Sequence, residues 1–150
     1  MPKGHNNTGR SKTERFVALP HYMLRSLAWR SLSPVATTVY VELASRYNST
    51  NNGRLALSAR AAAERAHCSK NTAARAFAEL IERGFIDLCS CGHFDRKSPH
   101  AAEYRLTLYP CNRSGERASK RFTRWRPDEP KSVAGVTTGT VANSTKENYR

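Results

Sequence analysis

Residues 57–84, LSARAAAERAHCSKNTAARAFAELIERG, constrain this chain more than any other stretch. They read as two helices joined by His67-Cys68, a connection too short to be more than a corner. Ser58 and Ser69 stand where each helix begins, and a serine there can accept a hydrogen bond from a free backbone N–H one turn on. Ala61, Ala62, Ala63 and Ala66 are small enough to let another helix pack closely. In the second segment Ala73, Phe77, Leu80 and Ile81 recur at helical spacing and predict a buried stripe. Lys70, Asn71, Ala74, Arg75 and Ala78 fall on the other faces. Gly84 supplies the left-handed residue that ends a helix. The chain must therefore build its core around a close helix pair with a basic, short-side-chain outer face.

The flanking elements follow from the same periodicities. Pro20 fits the first turn of a short helix over roughly residues 20–30, anchored by Tyr22, Met23, Leu27 and either Trp29 or Leu24. Ser33-Pro34 is a cap followed by proline at the first helical position. From there Ala36, Val39, Tyr40, Leu43, Ala44 and Tyr47 keep the i, i+3, i+4, i+7 pattern, which predicts a helix over about 34–47. Residues 48–53 form a loop by composition. Leu55 and Leu57 alternate as in a short strand. After Gly84, residues 85–89 read as a strand with Ile86 and Leu88 facing inward. A turn-rich basic connection over 91–99 leads to a half-buried strand, in which Ala102, Tyr104, Leu106 and Leu108 alternate with Glu103, Arg105 and Thr107. The expected fold is mainly α with a small β-hairpin, an α+β class with the order α-α-β-α-α-β-β.

Length suits one domain plus tails. The formal charge of +13 implies a polyanionic partner. Residues 1–15 carry four Lys/Arg against one acid, and residues 112–150 carry nine against four. The division expected is a disordered basic arm at 1–15, a folded domain at 16–111, and a basic, mostly disordered tail at 112–150. The twelve basic and seven acidic residues of the middle must then act through position rather than bulk charge.

This order of elements, with the run SKNTAARAFAELIERGFI, resembles the winged helix-turn-helix superfamily of bacterial DNA-binding proteins over residues 16–110. More narrowly it is similar to small bacterial regulators and to the winged helices of plasmid or phage replication initiators. One departure is that AAAERAHCS has no glycine in the turn, so His67-Cys68 must make the corner. The resemblance implies double-stranded DNA as partner, with a recognition helix at about 70–83 in the major groove. Asn71 and Arg75 would then read bases, whose edges they match bidentately, and Lys70 would meet bases or phosphate. Ser69 and Thr72 would touch the backbone or only cap the helix. Ser58 and Arg60, at the start of the supporting helix, suit backbone contacts. His93, Arg96 and Lys97 lie in the wing, which would follow the backbone or enter the adjacent minor groove. In the tail, Arg121, Arg124, Trp125 and Arg126 would lie on phosphates or stack on bases. Trp125 and Phe122 could equally fold back and bury apolar surface.

Other classes have less behind them. The N-terminus has no apolar run, so no signal peptide or membrane anchor is expected, and a bacterial cytoplasmic location follows. The four cysteines are then expected as thiols. Cys89, Cys91 and His93 look like part of a zinc set. However, C-x-C is not the usual clip, and Cys111 would lie about 20 Å from Cys89 at the normal strand rise. Only His100 could close such a site, so no metal is expected. No carboxylate pair or glycine-rich phosphate loop appears, so neither catalysis nor a cofactor is expected. No small-molecule ligand is evident. A homodimer is possible, with the helix at 20–30, carrying Met23 and Trp29, as the candidate surface, although that helix could equally cover the domain's own core. The rival to DNA binding is a protein-interaction module whose basic tails have non-specific nucleic-acid affinity. RNA or single-strand binding through the tail is a third reading.

Overall fold

Ser33, Ser58 and Ser69 each start a helix by accepting a backbone N–H with the side chain, from Ala36 at 3.2 Å, Ala61 at 3.1 Å and Thr72 at 3.2 Å. The computed structural model describes residues 14–127, and the expectations for residues 1–13 and 128–150 lie outside the described residues. In chain order the elements are α1 (His21–Leu24), α2 (Leu27–Arg30), α3 (Pro34–Arg46), β1 (Leu55–Ala56), α4 (Ala59–Ala66), α5 (Lys70–Glu82), β2 (Ile86–Ser90) and β3 (Glu103–Leu106). A 3-10 turn at Arg121–Thr123 follows. The three strands form one antiparallel sheet in the order β1-β3-β2, with Ile86 opposite Leu106 and Leu55 opposite Tyr104. This is a winged helix-turn-helix fold, mainly helical with a small sheet.

Helix α3 packs on both α4 and α5, and α4 packs on α5. The stripe Ala73, Ala76, Phe77 and Leu80 is buried, and Phe77 stacks on Tyr104 with ring centroids 4.8 Å apart. Helix α5 ends as its glycine requires. Gly84 sits at φ +80°, its N–H donates to Ile81 O at 3.1 Å, and Phe85 N–H donates to Leu80 O at 2.9 Å. The corner between α4 and α5 has no glycine, so His67 itself takes the left-handed conformation, φ 51° and ψ 46°.

Three expectations change. The helix over 20–30 is two separate turns, because Ser26 donates its hydroxyl to Met23 O at 2.6 Å and caps Trp29 N–H at 3.1 Å. Tyr22 and Leu27 are therefore exposed rather than anchoring, while Met23 and Ala28 are buried. Trp29 meets Tyr40 and Phe85 edge-on and Met23 is fully buried, so both side chains cover this chain's own core, one of the two readings given for them. Leu88 pairs with the buried Tyr104 yet is 46% exposed, on β2 at the edge of the sheet.

The third change concerns residues 111–127. After β3 the chain turns back instead of running on. Asn52, fully buried in the loop before β1, donates its amide to the carbonyls of Leu106, Tyr109 and Pro110 and accepts from Leu106 N–H at 2.7 Å. Cys111 N–H then donates to Glu116 O at 2.8 Å, closing a small loop over the outer face of the sheet. Lys120 N–H reaches Thr107 O at 3.0 Å, and Phe122 is buried, stacked on Phe85 with centroids 5.0 Å apart. Packed chain thus continues past the boundary expected at 111. Gly84 makes this possible, since a β-carbon there would stand 2.8 Å from Arg121 Cβ and 2.9 Å from Phe122 N.

Candidate nucleic-acid interface

The exposed face of α5 carries Lys70, Asn71, Thr72, Ala74, Arg75 and Ala78, while every third or fourth residue between them points into the core. No ion pair engages Lys70 or Arg75 among the described residues. The acids of this helix are turned elsewhere or sit in its last turns. Glu79 accepts from Ser33 and pairs with Arg83 at 3.5 Å. The result is a cationic helix face with small residues between its long polar ones. Such a face lets the backbone approach a polyanion closely.

Three elements converge at the N-terminal end of that face. Ser58 and Ala59 at the start of α4, Lys70 at the start of α5, and His93, Phe94, Pro99 and His100 of the hairpin connection line one groove of about 520 Å³. The helix N-termini contribute free N–H groups and the positive end of their dipoles. The wing is clasped at its neck, where His93 and His100 exchange both backbone hydrogen bonds at 3.0 Å. Beyond the neck, Asp95 accepts Lys97 N–H at 3.1 Å with its carboxylate. Arg96 and Lys97 are exposed at the tip.

Each expected residue can now be located. Lys70, Asn71 and Arg75 share the free face of α5, and His93 joins Lys70 and Ser58 at the groove. Ser58 uses its oxygen as a cap and keeps its hydroxyl proton to donate. Ser69 and Thr72 bond to each other at 2.9 Å besides capping, so part of their capacity is used locally. Arg60 is exposed and only loosely paired with Glu64 at 3.7 Å.

The tail residues are not brought to this face. They sit at the opposite end of α5, against Gly84 and α2. Arg121 pairs with Asp87, and Trp125 lies under the Arg83 guanidinium, 5.1 Å from the ring centroid. Arg124 and Arg126 are exposed there.

The cysteines also depart from expectation. Cys111 does not lie at the far end of the hairpin, because the turn after Pro110 folds it back into the groove that Cys89, Arg105 and Arg113 line. Burial pushes the Cys89 thiol up. Burial acts the same way on Cys111, but hydrogen bonds from Ser114 and Arg105 outweigh it and hold that thiol below its ordinary value. No group of three or more His, Cys, Asp or Glu side chains is placed to hold a metal ion among the described residues. The aromatic residue at the wing, Phe94, was missed by sequence reasoning. The signal available was an apolar ring among His93, Arg96 and Lys97 in a turn-rich segment.

The fold is that of a winged helix-turn-helix domain, with a cationic face on the second helix of the motif. Residues 30–86 match the model of the helix-turn-helix domain family. Neither the comparison with curated proteins nor that with solved structures returned a match. No described helix is long and apolar enough to cross a membrane.

Proposed function

We propose that this protein binds double-stranded DNA with α5 in the major groove and the wing on the adjacent backbone and minor groove, as a transcriptional regulator or replication-initiator-like protein. One observation carries the reading. Lys70, at the start of the exposed face of α5, and His93, Phe94 and His100 of the wing line the same groove, which lies at two helix N-termini. Asn71 and Arg75 take the base-reading roles, because they project from the first turns of the helix that enters the groove. Lys70, Ser58, Arg60, Ser69 and Thr72 serve the phosphates, and Arg96 and Lys97 extend that track along the wing. The tail cations Arg124 and Arg126 add a second, non-specific field at the other end of α5.

Two measurements on the full chain test this. Selection of bound sites from random duplex DNA should yield a recurring motif, and a palindromic one would report a dimer. Binding to the selected duplex should weaken steeply as salt rises, since released counterions drive phosphate contact. Absence of duplex binding at low salt would overturn the reading in favour of a protein-interaction module.

A further inference from the structure

Phe94 is 91% exposed, the most exposed large apolar side chain among the described residues, and it stands two residues before the exposed cations Arg96 and Lys97. Its position is set by the backbone. The two arms of the wing are so close at the neck that a β-carbon on Gly92 would come within 2.8 Å of Ala102 N and 3.0 Å of His100 O. Two hydrogen bonds between His93 and His100 hold that neck. Immediately beyond it, Ser98 N–H donates to Asp95 O at 3.2 Å, so the tip is a tight turn with Phe94 entering it. Phe94 also lines the groove that contains Lys70 and Ser58. A narrow, clasped hairpin with an apolar ring beside Arg96 and Lys97 matches the minor groove in both shape and charge.

We propose that Phe94 is an apolar wedge, which enters the minor groove of duplex DNA next to the major groove occupied by α5 and partly unstacks a base step. The inference rests on the DNA-binding reading above. Proteins that bind the minor groove use inserted apolar side chains in this way, and kink the duplex by roughly 20–90°. Arg96 and Lys97, in the same turn as the ring, hold the wing on the phosphate backbone. A protein surface could also cover an exposed phenyl ring. The cations around Phe94, with the carboxylate of Asp95 turned onto its own loop, favour the polyanion.

The full-length chain, its Phe94→Ala and Phe94→Leu variants, and Lys97→Ala should be compared on one mixed-sequence duplex and on relaxed closed-circular plasmid DNA with a topoisomerase present. Unstacking by the wild type should leave a change in linking number after the protein is removed, and energy transfer between the duplex ends should report a bend. Phe94→Ala should lose both signals and bind about 5–20-fold more weakly, with an unchanged slope of log affinity against log salt because no cation is removed. Phe94→Leu should retain most of the bend, since leucine also serves as a wedge. Lys97→Ala should keep the bend and reduce the salt slope by about 1. Equal bending and unwinding by Phe94→Ala and wild type would overturn the wedge while leaving DNA binding intact. Wild-type protein that shows no salt-dependent duplex binding would overturn the DNA-binding reading itself.

Discussion

The Glu79 carboxylate of α5 holds Ser33 through both of its oxygens, accepting the Ser33 backbone N–H at 2.8 Å and its hydroxyl at 2.7 Å. Ser33 is the N-cap of α3, so one acid ties α5 to the start of α3. Arg83, one turn on, donates to Ser31 Oγ at 2.8 Å and strengthens the same junction. Glu79→Ala should lower unfolding stability by about 2–3 kcal/mol, since hydrogen bonds to a charged, half-buried group contribute more than neutral ones. Glu79→Gln should recover part of that loss. Urea denaturation checks both, and a wild-type midpoint for Glu79→Ala would show that the tie contributes nothing.

Asn52 fastens the return of the chain after β3. Its side chain is the shared partner of three carbonyls and one N–H, all from residues 106–110. Asn52→Ala would take a partner from each of those groups, at about 1–3 kcal/mol for each left buried with no other partner. The expected outcome is a loss of at least about 2 kcal/mol, with faster hydrogen exchange at Leu106. Asn52→Asp should be no better, because a carboxylate cannot donate to the carbonyls.

His67 occupies a left-handed conformation with an exposed side chain. For a residue with a β-carbon that conformation costs about 1–2 kcal/mol. His67→Gly should therefore raise the thermal midpoint, with a gain below that figure because glycine also frees the unfolded chain. His67→Val should lower it, since a β-branched residue is worse in this region. Calorimetry on the three proteins orders them, and a reversed order would remove the strain argument.

Arg75 and Lys97 should separate by what they lose on DNA. Arg75→Ala is expected to cost about 1–3 kcal/mol on the selected site and to relax preference at one base position. Lys97→Ala should weaken selected and random duplexes alike. A gel-shift series in which Arg75→Ala loses equally on both would count against base reading by this residue.

The helices were legible from local signals. Ser33-Pro34 marked the start of α3, Ser58 and Ser69 marked α4 and α5, and Gly84 marked the end of α5, because caps and helical periodicity act within one turn. The free face of α5 was legible for the same reason. The broken helix at residues 20–30 was not, since Ser26 could equally have lain inside a continuous helix. Leu88 shows a different limit. Alternation names the face of a strand but does not say which residues of that face are covered.

By itself the sequence determined the helix pair, its buried alanine-aromatic stripe, the hairpin and the cationic outer face. These depend on spacing within a segment, where side-chain direction follows from backbone geometry. The tertiary structure decided which distant groups meet. It set the wing against Lys70, folded Phe122 onto Phe85, and returned Cys111 to the groove of Cys89. It also paired Glu79 with Ser33 across 46 residues and Asn52 with Leu106 across 54. Such contacts depend on where the chain reverses. The reversal after β3 is fastened at a buried asparagine whose side-chain partners are backbone atoms, which carry no sequence signal.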